Sequence, residues 1–114
     1  MVKSEVEIVR LLGDVRYPVI LCGHTHIPRL VRLASGQIIV NPGSVGLAAY
    51  SDSTPVPHAM ETHSPHASYA TLTKGAAGWD VAFRKVTYDW ETAARAAAEL
   101  GRADWARQIA MGRV

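Results

Sequence analysis

Cysteine is almost missing: Cys22 is the only one in 114 residues, so no internal disulfide can form and a disulfide-framed secreted scaffold is excluded. Charge bias is missing too. The 12 Lys+Arg against 10 Asp+Glu leave a formal charge of +2, with arginines scattered along the chain, which leaves no nucleic-acid-binding footprint. No apolar run approaches the roughly 20 residues needed to cross a bilayer. The opening Met1-Val2-Lys3-Ser4-Glu5 lacks the hydrophobic core of a secretory signal. These absences point to a soluble protein of the reducing cytoplasm, in which Cys22, inside an apolar segment, is expected to be a small core residue. There is no internal repeat.

What is present suits one unit spanning residues 1–114, since 48% of the residues are apolar and domains of roughly 100–150 residues are the commonest. Ser4-Glu5-Val6-Glu7 is a capping-box pattern. Val6, Val9 and Leu12 then recur at helical spacing until Gly13, predicting a helix over 4–12. Pro18 opens a strand whose apolar run Val19-Ile20-Leu21-Cys22 implies burial on both faces. Arg29 to Leu33 and Gln37 to Val40 read as a hairpin across Ala34-Ser35-Gly36. Asn41-Pro42-Gly43-Ser44 cannot continue a ladder, because Pro42 has no N–H and leads into a permissive glycine, so a tight loop follows. Residues 51–66 hold three prolines and three histidines and read as a long exposed loop. Ser68 to Thr73 and Trp79 to Tyr88 are expected as paired strands, and Glu91 to Leu100 as an alanine-rich helix. Gly101 interrupts before a short last helix marked by Trp105 and Ile109.

Chemistry concentrates at Gly23-His24-Thr25-His26. In an extended segment residues two apart project to one side, so the two imidazoles can reach a common pocket, and imidazole is the commonest protein ligand for transition metals. Gly23 lets the backbone come close to what is bound. Two ligands make only part of a site, because a catalytic metal normally takes about three protein ligands plus water and a two-metal centre takes more.

In order along the chain stand a helix-like start, a strand into Gly23-His24-Thr25-His26-Ile27-Pro28, a hairpin into Asn41-Pro42-Gly43-Ser44-Val45-Gly46, then Ala67-Ser68-Tyr69-Ala70 and Val86-Thr87-Tyr88-Asp89. This series resembles the C-terminal half of the calcineurin-like metallophosphoesterases, especially their small bacterial and archaeal phosphodiesterase branch. The resemblance implies an α/β fold, namely the C-terminal portion of a four-layer α/β/β/α sandwich, and hydrolysis of phosphomonoesters or phosphodiesters at a two-metal centre. It makes His24 and His26 ligands to different ions of the pair. Gly23, Thr25, Asn41 and Ser44 become candidates for outer-sphere or substrate-facing roles, although Asn41 and Ser44 also suit ordinary turns whose side chains bond nearby backbone.

The family's Asp-x-His, Gly-Asp and Gly-Asn-His-Asp/Glu motifs and its isolated histidine ligand lie upstream of this region; neither Asp-x-His nor Gly-Asn-His-Asp/Glu appears here, and the Gly13-Asp14 dipeptide sits only at the stop of the predicted first helix. The chain therefore reads as a partial domain, inactive alone, expected to pair with a missing N-terminal half or with itself. Divalent Mn, Fe, Ni or Zn all suit imidazole-rich sites. The alternative is a non-catalytic interaction scaffold, as in the retromer subunit with the same fold. His58, His63 and His66 follow no ligand motif and read as solvated loop residues. Tyr69 and Tyr88 are expected to pack with their phenols at the surface, and Trp79, Trp90 and Trp105 to anchor the sheet and terminal helices.

Overall fold

Ser4 opens helix α1 (Glu5–Leu12) with the reciprocal bonds of its capping box: Glu7 N donates to Ser4 Oγ at 3.3 Å, and Ser4 N donates to Glu7 Oε2 at 2.7 Å. The Ser4 hydrogen bonds favour the ionised carboxylate and hold Glu7 below its ordinary pKa. The computed structural model describes residues 3–53 and 56–114. Met1 and Val2 at the expected start, and Thr54 and Pro55 in the expected long loop, lie outside the described residues.

Strands β1 (Val19–Leu21), β2 (Arg29–Arg32) and β3 (Ile38–Asn41) form a sheet in the order β1-β3-β2. β3 runs parallel to β1, with Val19 opposite Ile38, and antiparallel to β2, with Arg29 opposite Asn41. The β2–β3 hairpin turns at Ala34-Ser35-Gly36, as its sequence predicts. Paired on both sides, β3 is the core, with Ile38 and Val40 almost wholly buried. β1 corrects an expectation. It is bonded only on its β3 side, Leu21 is 68% exposed and Cys22 is exposed, so neither double burial nor a core cysteine is found.

A second correction falls on residues 51–66. Here β4 (Ala49–Asp52) and β5 (His58–Glu61) pair antiparallel, with Tyr50 opposite Met60 and Asp52 opposite His58. No apolar alternation marks these strands, because their order comes from backbone pairing and from α3 lying against β4. β6 (Ala67–Gly75) and β7 (Gly78–Val86) form the expected long hairpin, in register from Ala67 opposite Val86 to Gly75 opposite Gly78. Ser68 is buried there, and Lys85 Nζ, opposite it in register, donates to its Oγ at 2.7 Å.

Asp89 caps α2 (Trp90–Glu99) by accepting from Thr92 N and Thr92 Oγ1; these bonds lower its pKa. α2 packs on α3 (Ala103–Met111) with Ala94 and Ala97 buried. Trp90 meets His66 and Tyr88, at ring-centroid separations of 5.5 and 6.2 Å. Trp105 is no anchor. It is 44% exposed, with the Arg102 guanidinium 4.2 Å from its ring centroid.

The result is a mixed α and β slab of 48 × 33 × 18 Å. Its radius of gyration of 16.4 Å exceeds the roughly 13 Å of a compact chain this long. α1 buries no residue outright, and no helix among the described residues is long and apolar enough to cross a membrane.

Gly112 locks the C-terminal helix onto the β5–β6 connection. Its φ is +63°, its carbonyl accepts from His63 N at 2.9 Å, and a Cβ there would run into the Ser64 backbone, whose carbonyl oxygen would lie 2.6 Å away. Gly112→Ala should therefore destabilise the chain by about 1–3 kcal/mol in urea unfolding. An unchanged midpoint would show that this contact is not needed.

Candidate metal centre

β1 ends at Leu21, and the chain then turns sharply through Gly23-His24-Thr25-His26. His24 has φ +78° and His26 φ +63°, so the pair stands in a left-handed turn and not in the extended segment that the His-x-His spacing predicts. Side chains rarely adopt that region without a supporting network, at a cost of order 1–3 kcal/mol for each residue. The support is Asn41, which is 5% exposed at the end of β3. Its Nδ2 donates to the Gly23 carbonyl at 3.2 Å and to Thr25 Oγ1 at 2.9 Å, while its Oδ1 accepts from Gly43 N at 3.0 Å. Thr25 N also donates to the Gly23 carbonyl, at 3.0 Å, which closes the curl.

The rest of Asn41-Pro42-Gly43-Ser44 fastens this turn to the other sheets. Gly43 has φ +91°, and a Cβ there would lie 2.7 Å from Ser68 Cβ and 2.9 Å from Pro28 Cγ, so only glycine lets the loop pass between the histidine turn and β6. Ser44 Oγ accepts from Leu47 N at 3.1 Å, and the Ser44 carbonyl accepts from Ser68 N at 2.9 Å. Asn41, Ser44 and Thr25 thus shape the turn through hydrogen bonds. Gly23 contributes its carbonyl.

Both imidazoles meet the ring of Tyr50 on β4, His26 at a centroid separation of 4.7 Å and His24 at 5.8 Å. His26 Nδ1 donates to the Leu47 carbonyl at 2.8 Å. A carbonyl only accepts, so in the neutral ring Nε2 keeps its lone pair, which is the arrangement of a metal-binding imidazole oriented from behind. His58 lies on the far strand of the same hairpin, 6.1 Å from Tyr50 by centroid, and its Nδ1 donates to the Val56 carbonyl at 2.8 Å. His63 and His66 have other partners. Arg113 Nε donates to His63 Nδ1 at 2.9 Å, and His66 sits between Ser64 and Trp90.

Sequence reasoning missed Tyr50 and Leu47. Leu47 acts through its backbone, which has no sequence signal, and Tyr50 offered only an aromatic at the margin of a polar segment. The donor chemistry of His24 and His26 fits one edge of a divalent-metal site. Among the described residues no group of three or more His, Cys, Asp and Glu side chains gathers there or elsewhere, so the remaining ligands of a full centre are not supplied by them. Because Asn41 carries the turn, Asn41→Ala should cost about 1–3 kcal/mol in chemical denaturation and speed amide exchange at Thr25 and Gly43. Wild-type exchange at both amides would contradict this assignment.

No family model matches the chain, and no curated protein matches it. Among solved structures it is similar to a metallophosphoesterase from Sphaerobacter thermophilus, with 23% identity and a TM-score of 0.59 over 86% of this chain. The matched part amounts to 43% of that longer protein, so the likeness is one of fold, shared with less than half of the solved chain.

Proposed function

We propose that this chain supplies the histidine edge of a metal-dependent phosphoesterase, as the C-terminal portion of a four-layer sandwich like that of the small bacterial and archaeal phosphodiesterases. One observation carries the reading. On a fold shared with a metallophosphoesterase, His24 and His26 stand in a strained turn against one tyrosine, and His26 Nδ1 is tied to a carbonyl so that Nε2 is left for a ligand. Two divalent ions, of Mn, Fe, Ni or Zn, would supply Lewis acidity and an activated water for in-line hydrolysis of a phosphoester. His24 and His26 would each hold one ion. Asn41 and Thr25 keep the turn in shape, and Ser44 and Gly43 keep it pressed to β6.

The remaining ligands would come from the rest of the fold, seated on the open side of the first sheet. Supporting this, a groove of about 360 Å³ runs between α1 and that sheet, lined by Ile8, Leu11, Ile20, Val31 and Ile39 and ending at Gly23, Thr25 and Asn41. Val6 and Leu11 on α1 and Leu21 on β1 are each about 70% exposed, at 69%, 71% and 68%. Exposed apolar surface beside an unpaired strand edge seeks cover.

The isolated chain should show negligible turnover of bis-p-nitrophenyl phosphate with manganese, and gain it when joined to an N-terminal half carrying the missing carboxylate and asparagine motifs. In that assembly His26→Ala should cut the rate by orders of magnitude, whereas His63→Ala should leave it nearly unchanged. Equal losses from both variants would contradict the assignment. By itself the chain should self-associate at tens of micromolar through the open sheet. Light scattering that gives a monodisperse monomer mass across that range would count against the uncovered face.

A further inference from the structure

The Tyr50 hydroxyl is the only buried side-chain polar atom, among the described residues, that has no hydrogen-bond partner. Burying a hydroxyl unpaired is unfavourable, and such groups in folded proteins are few. It lies in the cluster that holds both candidate ligands, on a strand fixed from two sides: Ala49 beside it is fully buried, and α3 packs against β4. A second gap sits next to it. A metal-binding histidine almost always donates its other ring N–H to an oxygen, which fixes the ring's orientation and raises its basicity. His26 makes that bond, to the Leu47 carbonyl. The exposed ring of His24 makes none, although its centroid is 5.8 Å from the Tyr50 ring, with the planes 52° apart.

Resting on the metal-site reading above, we propose that Tyr50 is the positioning residue for His24: its hydroxyl oxygen accepts the N–H on the side of the His24 imidazole that faces away from a bound ion. Rotation of the exposed His24 side chain would bring the two unpaired groups together, at the roughly 2.9 Å of an ordinary N–H···O hydrogen bond, with the half-buried tyrosine left in place. The two histidines then have matched supports, a backbone carbonyl for His26 and a phenol for His24. Both supports stand on the segment from Leu47 to Tyr50, so the β4–β5 hairpin sets the geometry of the ligand pair.

The test is calorimetric titration of the full chain with Zn²⁺, comparing wild type, Tyr50→Phe, His24→Ala and the double variant. Tyr50→Phe keeps the ring and removes only the hydroxyl. It should weaken the His24-dependent zinc binding by about 10–100-fold. It should leave the Tm of the zinc-free protein unchanged or slightly raised, because the hydroxyl has no bond to lose there. In the His24→Ala background the same change should do nothing further, since the interaction is already gone. Zinc binding by Tyr50→Phe equal to wild type would overturn the inference while leaving His24 a ligand. So would a loss that persists without His24, or a Tm several degrees lower without zinc. Wild type and His24→Ala binding zinc alike would instead sink the ligand reading itself, and this inference with it.

Discussion

Asn41 sits at the point where the central strand stops and the histidine turn begins, and it uses both amide hydrogens and its carbonyl oxygen there. The two hydrogens hold the Gly23 carbonyl and the Thr25 hydroxyl, and the oxygen holds the amide of Gly43. No other residue type of that size offers two donors and an acceptor in one plane. A turn with two non-glycine residues at positive φ would otherwise relax toward an extended strand, which any residue adopts at no steric cost. Burial makes the arrangement decisive, because at 5% exposure water cannot replace the bonds of Asn41.

The second support comes from a different sheet. His26 is held by the Leu47 carbonyl, Leu47 N is held by Ser44 Oγ, and the Ser44 carbonyl receives Ser68 N from β6. The candidate site is therefore a junction where the first sheet, the β4–β5 hairpin and the β6–β7 hairpin meet, with Gly43 as the gap through which they approach. Such a junction places the turn more firmly than one loop does, since Asn41 at the end of β3 and the Leu47 carbonyl just before β4 hold it from two sides.

The thinness of the slab belongs to the same account. β1 and β3 pair in parallel, and parallel strands are ordinarily covered on both faces, yet α1 buries no residue outright and Leu21 faces outward. The densest burial lies at β3, which floors the open groove through Ile39 and Asn41, and between α2 and α3. The groove beside that open face leads to the histidine turn at Gly23 and Thr25.

Local signals in the chain were sufficient for what depends on neighbours in sequence. Ser4 and Glu7 announced α1, Ala34-Ser35-Gly36 announced the β2–β3 turn, and the apolar runs on either side of Lys74-Gly75-Ala76-Ala77-Gly78 announced the long hairpin. The backbone at His24 and His26 was misread as extended, because its φ values are imposed by an amide 15 to 18 residues away in the chain. The β4–β5 hairpin was misread as a loop, since its strands are held by pairing and by α3 and carry no apolar alternation. Cys22 and Leu21 look like core residues by composition, but whether an apolar strand is covered depends on what packs over it. Tyr50 shows the division most clearly. Its neighbours in sequence say nothing of His24 or His26, and only the folding of one sheet against another brings their rings together.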